Sequence, residues 1–379
     1  MDWNATTPPL GEVVEAMAAA ARDAWGNPAS VHAFGRAART RVEEAREAVA
    51  RLARCDARDV VLTSGGTEAN NLALRSAFPV DAGGGDGAGD RRVLVTSRLE
   101  HPSITRVAEA LDREGRARVR WVRVQPDGTI DLEDLAQACG ARGAGHVRLV
   151  AVQAANPETG VLQPVREVIA LARRAGAWVH VDAVQAFGRL DDVAEEADTR
   201  SLAGHKIRGP KSIGALVTRP GFAVVPVLVG GSQERGLRPG TVDPLAAAGL
   251  AVAARHALES PARWRAAAAL RDALEAGLAR LAPDGRVNGA RAPRAPHVTS
   301  FAFPGWSAPE LVAALDLEGL AVSGGSACSA GTAEASAVLA AMGDAEAAEC
   351  SVRFSLGEES SAADVVAALS AVERVLTRG

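Results

Sequence analysis

The sequence predicts an α/β fold: a large domain built on a mainly parallel sheet covered by helices on both faces, then a smaller C-terminal α+β domain. Three observations lead there. Short apolar runs alternate with helix-periodic stretches from about residue 10 to 220, the pattern of strand–helix–strand units. The character changes after Thr241 into a long Ala- and Arg-rich helical region. The chain has 379 residues, 47% of them hydrophobic, enough for one large core and a second smaller one.

Each element follows from its local pattern. Residues 35–53 repeat apolar positions at helical spacing. The run at 59–63 (DVVLT) is a strand closed by Ser64-Gly65-Gly66, and Thr67 opens a helix. Further strands are expected at 92–97, 119–124, 147–153, 178–182 and 214–218, with helices at 103–114, 131–139 and 165–175 between them. A helical region covers 243–282, followed by a Pro/Arg-rich loop at 283–296, a strand at 298–303 and helices near 308–318, 333–342 and 361–377. The expected division is 12–250 for the large domain and 251–379, with 1–11, for the small one. The Gly-rich acidic stretch 81–90 lacks the lysine and strand–helix setting of a phosphate loop and reads as a surface loop.

Composition removes several function classes. A net charge of −4 and a pI near 6.0 give no electrostatic case for nucleic acid or an anionic membrane. Aromatics are 3% with no tyrosine, which leaves little for base stacking. No charge-free apolar stretch long enough to span a membrane and no signal-peptide pattern are present. Cys55, Cys139, Cys328 and Cys350 are scattered without metal-ligand spacing. A cytoplasmic, reducing setting is expected.

Of 42 basic side chains only Lys206 and Lys211 are lysines. Arginine cannot form a Schiff base, whereas lysine can lose its proton and attack a carbonyl. A lysine kept in such a chain marks a chemical role or a chance survival. Ser64-Gly65-Gly66-Thr67 reads equally as a phosphate-binding helix start and as a plain strand–helix turn. Asp182 ends an apolar strand, where ligands bind in open α/β sheets; it would either face a pyridinium nitrogen or cap the next turn. Lys206 sits in a Gly-flanked loop. Together, and in this order, these residues make a coherent cofactor site. Cys328 lies in a loop of small residues, Ser323 to Gly331, suited to a reactive thiol; Cys55, Cys139 and Cys350 read as structural, the last within a strand.

These residues resemble the cysteine desulfurases of the NifS/IscS type, in the class V aminotransferase group of fold-type I pyridoxal-phosphate enzymes. The resemblance runs nearly end to end: NATTP (4–8), GNPASVH (26–32), SGGTEANNLAL (64–74), EHPSI (100–104), the turn at 156–160, HVDAVQAFG (180–188), GHKIRGPKSIGAL (204–216), GGSQERGLRPGT (230–241), SGGSACSAG (323–331) and VRFSLG (352–357). It implies pyridoxal 5'-phosphate as cofactor. Lys206 would bind it covalently and then shuttle the substrate α-proton, Asp182 would pair with its ring nitrogen, and Gln185 would contact its ring hydroxyl. His101 would stack on the ring and serve as an acid or base. Gly66, Thr67 and His205 would hold the phosphate, with Thr241 arriving from a neighbouring subunit of a homodimer. Arg353 would pair with the substrate carboxylate. Cys328 would take sulfur from L-cysteine as a persulfide, leaving alanine, and hand it to an acceptor protein such as an iron–sulfur scaffold or a thiolation relay.

Three departures bear on this expectation. Pro157 stands where the family has an asparagine that touches cofactor and substrate, so Asn156 would have to move in as the substrate contact. Ala203 stands where many relatives have a phosphate-binding serine. The stretch after Gly357 also lacks the family's usual arginine. Selenocysteine lyase, another β-elimination, or a cofactor-binding partner protein are the rival readings; the thiol at Cys328 favours sulfur transfer.

Overall fold

The computed structural model describes residues 1–80, 92–140, 146–191, 194–325 and 335–378; the loop expected at 81–90 lies outside them. The large domain runs α1 (Gly11–Asp23), α2 (Ala33–Ala53), β1 (Val60–Thr63), α3 (Gly66–Ala77), β2 (Val93–Ser97), α4 (Pro102–Arg113), β3 (Arg118–Val122), α5 (Leu132–Gly140), β4 (Val147–Gln153), α6 (Val165–Arg174), β5 (Trp178–Asp182), β6 (Thr199–Ala203), β7 (Gly214–Thr218) and α7 (Pro244–Glu259). Its seven strands lie in the order β1-β7-β6-β5-β4-β2-β3. Only β7 runs against the others, antiparallel to both β1 and β6.

Alternation along the strands explains why both faces are covered. Val93 and Val95 join the core with α2, α6 and α7, while Leu94 between them joins the core with α3 and α4. Val150 and Val152 divide from Leu149 and Ala151 in the same way, as a period of two requires. Burying each such Val or Leu stabilises by ~1.5–3 kcal/mol.

The helical region expected over 243–282 is two helices. Pro261, which lacks an N–H, breaks it and opens α8 (Pro261–Leu281). Ala253, Ala254 and Ala257 of α7 still belong to the large core, so a division at residue 250 falls inside α7. The small domain continues with β8 (Arg286–Val287), β9 (Val298–Ala302), α9 (Ala308–Leu317), β10 (Ser323–Gly324), α10 (Ala337–Ala341), α11 (Ala345–Cys350), β11 (Ser351–Ser355) and α12 (Ala362–Arg378). Its antiparallel sheet has the order β10-β11-β9-β8, and α8, α9 and α12 pack on it. Cys350, expected in a strand, is instead the last residue of α11 and is buried. The first residues of the chain extend the small sheet: Asp2 bridges Ser355, and Trp3 N–H donates to Ser355 O at 3.2 Å.

Candidate active site

A cavity of about 370 Å³ opens where the large sheet, the starts of α3 and α4, the chain's first residues and β11 meet. It lies beyond the C-terminal end of β5, as expected for an open α/β sheet. The start of α3 supplies one wall. Gly65 has φ +147° and no side chain caps the helix, so the N–H groups of its first turn have no side-chain partner. A Cβ on Gly66 would sit 2.7 Å from Val184 Cγ2, and Ala203 packs behind it. Glu68 fixes this turn: its Oε2 accepts Ser64 N–H at 2.6 Å and its Oε1 accepts Arg238 Nε at 2.8 Å. Burial raises the Glu68 pKa, but these bonds outweigh it and hold the carboxylate below its usual range.

Asp182, the last residue of β5, is buried at the cavity. Its Oδ2 accepts Asn70 Nδ2 at 2.8 Å, and its Oδ1 accepts Ser201 Oγ at 3.2 Å and Val184 N–H at 3.1 Å. His101 is the N-cap of α4, with Pro102 in the first turn, and its Nδ1 meets Ser103 N–H at 3.1 Å and Ser103 Oγ at 2.7 Å.

Lys206 and His205 sit on a single 3₁₀ turn after β6. Lys206 Nζ donates to Ala5 O at 2.8 Å and to Asn4 O. His205 Nδ1 lies 3.1 Å from Thr6 Oγ1. Burial first, then the charges of Lys206 and Lys211, lower the His205 pKa to about 4, so it faces the cavity as neutral imidazole at pH 7.

Arg353 on β11 lines the cavity from the small domain. Its Nη1 donates to Pro157 O at 3.0 Å and its Nη2 to Asp2 Oδ1 at 2.6 Å and Ser323 Oγ at 3.0 Å; its buried Nε has no hydrogen-bond partner. Gln185 reaches the same cavity, with Nε2 at 3.3 Å from Asn4 O and Oε1 bonded to Arg189.

Two expected residues lie elsewhere. Asn156 is 1% exposed and does not line the cavity. Its Oδ1 accepts the N–H groups of Glu158 and Thr159, each at 2.9 Å, and its Nδ2 donates to Leu99 O at 3.2 Å. The amide is spent holding its own turn, which corrects the expectation that Asn156 contacts substrate. Pro157 does line the cavity, and its carbonyl accepts both Arg353 and Asn4 Nδ2, the latter at 3.0 Å. Thr241 lies on a separate cavity with Asn27 and Gln233. Cys328 lies outside the described residues.

Several residues at the site carried no signal in the sequence reading. Arg189 is fully buried and ties Asn4 Oδ1 (2.7 Å) to Lys206 O (3.0 Å), with its guanidinium 4.8 Å from the Trp264 ring centroid. Burial lowers its pKa to about 9. Glu100 lines the cavity with one carboxyl oxygen accepting from Ser97 Oγ at 2.9 Å and the other without a hydrogen-bond partner among the described residues. Burial, with the Asp182 charge acting in the same sense, pushes its pKa to about 8. The position of Glu100 before His101 is the one sequence signal that could have singled it out.

A lysine amine, a strand-end carboxylate and an uncapped helix start at one cavity define a cofactor-dependent α/β enzyme, and the chain belongs to the class V aminotransferase family, whose model (Aminotransferase class-V) matches residues 1–367. Within that family it is 39% identical, over 386 residues, to the IscS-like cysteine desulfurase of Mycobacterium tuberculosis, a match covering 100% of this chain and 96% of that protein. The solved structure of a NifS-like protein superposes with a TM-score of 0.88 at 30% identity, covering 100% of this chain and 99% of that one. A structure of SspA in complex with cysteine superposes with a TM-score of 0.77 at 28% identity, covering 94% and 97% of the two chains.

Proposed function

We propose that this chain is a cysteine desulfurase that uses pyridoxal 5'-phosphate to convert L-cysteine to L-alanine, with the sulfur passing to Cys328 as a persulfide and then to an acceptor protein. The observation that carries the reading is the meeting of Lys206, Asp182 and the uncapped start of α3 at one cavity whose small-domain wall carries Arg353.

The donor set suits this cofactor. The first-turn N–H groups of α3 and Thr67 are built to receive a phosphate, in a cradle that a Cβ on Gly66 would disturb. Neutral His205 adds a donor without a charge. Asp182, whose oxygens accept from three donors, suits a protonated pyridine nitrogen. Gln185, at the same cavity, would meet the ring hydroxyl and His101 the ring face. When bound, pyridoxal phosphate supplies an electron sink for a carbanion at the substrate Cα.

The chain's residues do the rest. Lys206 Nζ attaches the cofactor, then takes the proton from the substrate Cα and returns it. Arg353 presents a cation to the α-carboxylate. The Cys328 thiolate would form the new S–S bond as the substrate's C–S bond breaks, the electron pair staying with the substrate Cβ, which takes a proton to give alanine; the Ser/Gly-rich sequence around Cys328 and the family resemblance support this role.

A homodimer belongs to the same reading. Thr241 does not line its own chain's Lys206 cavity, and Trp25, Phe34 and Val229 leave apolar surface 61%, 54% and 102% exposed. The acceptor is a thiol-bearing partner, with iron–sulfur assembly as one destination in a cytoplasmic setting. Among the described residues no helix is long and apolar enough to cross a membrane. The test is alanine and sulfide production from L-cysteine by the purified, cofactor-loaded protein with a reductant. Equimolar products support the reading, and a yellow protein without turnover on cysteine overturns it.

A further inference from the structure

Asn70, in the second turn of α3, is 1% exposed and joins Asp182, Ser103 and His180. Its Nδ2 lies 2.8 Å from Asp182 Oδ2 and 2.7 Å from Ser103 Oγ, and its Oδ1 lies 3.0 Å from His180 Nε2. Donor and acceptor roles follow in order. An ionised carboxylate only accepts, so Asn70 must turn its NH₂ toward Asp182. The second amide proton then goes to Ser103 Oγ. The carbonyl is left for His180, which burial keeps neutral against the pull of Asp182 and whose Nδ1 is met by Thr199 Oγ1 at 2.8 Å.

Ser103 Oγ, having accepted from Asn70, has its one proton free for His101 Nδ1 at 2.7 Å. The Ser103 backbone N–H, which can only donate, points at the same nitrogen from 3.1 Å. A ring nitrogen receiving two donors carries no proton. The imidazole proton therefore belongs on Nε2, the other ring nitrogen.

We propose that Asn70 and Ser103 are positioning residues that use the Asp182 charge to hold His101 as its Nε2–H tautomer, so that His101 acts in the resting enzyme as a proton donor and not as a base. The inference deepens the proposed function and rests on it for the identity of the reaction. The tautomer itself does not depend on turnover. Action as a base through Nε2 would need the proton on Nδ1, against the Ser103 N–H and with the Ser103 hydroxyl proton turned away from His101.

The test begins with wild-type protein carrying ¹⁵N-labelled histidine, with and without pyridoxal phosphate. Long-range ¹H–¹⁵N correlation spectra report the tautomer of each of the seven histidines, and His101 is assigned by the signals lost in His101→Gln. A protonated Nε2 with an unprotonated, hydrogen-bonded Nδ1 is expected. An Nδ1–H form, or comparable amounts of both, overturns the proposal whether or not the protein turns over cysteine. Ser103→Ala, which keeps the backbone donor, should shift the Nδ1 resonance and lower kcat about five- to tenfold, the worth of one hydrogen bond, with KM for cysteine within about twofold, and Ser103→Thr should restore both. An Nδ1 signal and kcat unchanged in a folded Ser103→Ala protein overturn the relay. If that variant does not fold, the wild-type and Ser103→Thr spectra decide. A correct tautomer in a protein inactive on cysteine retires the proposed reaction and leaves the positioning intact.

Discussion

Asp2 and Arg353 are paired at 2.6 Å, Oδ1 to Nη2, and Ser323 Oγ bonds both of them, at 3.0 Å from each. Residues from three distant parts of the chain thus aim one guanidinium before any substrate carboxylate arrives. Arg353→Lys keeps the charge and loses the fork that reaches Pro157 O, Asp2 and Ser323 together. The expected result is a fall in kcat/KM of roughly tenfold to a hundredfold, carried mostly by KM, as a truncated charge-assisted contact predicts. Steady-state kinetics with L-cysteine check it; unchanged KM would remove Arg353 from substrate binding.

Lys206→Ala and Lys206→Arg should both abolish the visible absorbance of the loaded protein and lower turnover by roughly 10³-fold or more, since arginine keeps the charge but neither attaches a carbonyl nor shuttles a proton at neutral pH. Absorbance spectra and single-turnover assays test this. Retained colour in the arginine variant would show that the cofactor is not held through Lys206.

Cys328→Ser should keep the absorbance and the binding of cysteine while losing transferable sulfur. Mass spectrometry of the protein after cysteine addition should find a 328 persulfide in the wild type and none in the variant. Sulfide release at the wild-type rate from the variant would refute the proposed sulfur path.

Pro157→Asn restores an amide at a cavity position where Asn156 offers none, because the Asn156 side chain is bonded within its own turn. KM for cysteine should fall a few-fold. Stability should drop by ~0.4–1 kcal/mol through the freer unfolded chain, since the carbonyl contacts to Arg353 and Asn4 survive the change. Kinetics and thermal melts together separate the two effects.

Glu358 stands in the stretch that lacks the family's usual arginine. It accepts from Arg208 at 3.0 Å and lies 2.7 Å from His256 Nε2, with Arg263 at 3.6 Å. Burial pushes its pKa up, but the bonds from His256 and Arg208 prevail and hold it below the usual carboxylate value. A depressed folded pKa contributes stability that is complete above the unfolded value near 4.5 and is lost as pH falls through the folded one. The melting temperature should therefore drop on acidification below about pH 4.5. Glu358→Gln should melt lower at pH 7 and show a shallower acid limb; parallel Tm–pH curves would exclude the pair as a contributor.

Legibility in the sequence followed burial pattern and motif order. The strands β2, β4, β5 and β7 are apolar runs, and each was readable as such. The strand β6 was not, because Thr199, Arg200 and Ser201 are polar and yet buried. Their partners explain it: Thr199 meets His180, Ser201 donates to Asp182, and Arg200 donates to Ala53 O. A strand that buries polar side chains only because a site beside it accepts them has no period-two apolar signature. Lys206 and Asp182 stand out in the sequence because their chemistry is rare in their settings. Arg189 was invisible among 42 basic residues, and Asn70 and Ser103 matter only through whom they touch. The expected Asn156 contact failed for a local reason, since the short reach from an Asn side chain to its own turn is satisfied before any ligand competes.

The bond from Asn4 N–H to Ser355 Oγ, at 2.9 Å, joins residues 351 positions apart, and Lys206 rests on the carbonyls of Asn4 and Ala5. On a ribosome, Asn4 must wait for Ser355 to emerge before it can be pinned. Until then the cavity lacks both its floor and its arginine. Loops of that span close late in folding, so a truncated or stalled chain would carry the reactive lysine without the walls that direct it. The stitch between Asn4 and Ser355 makes synthesis through residue 355 a condition of having an active site at all.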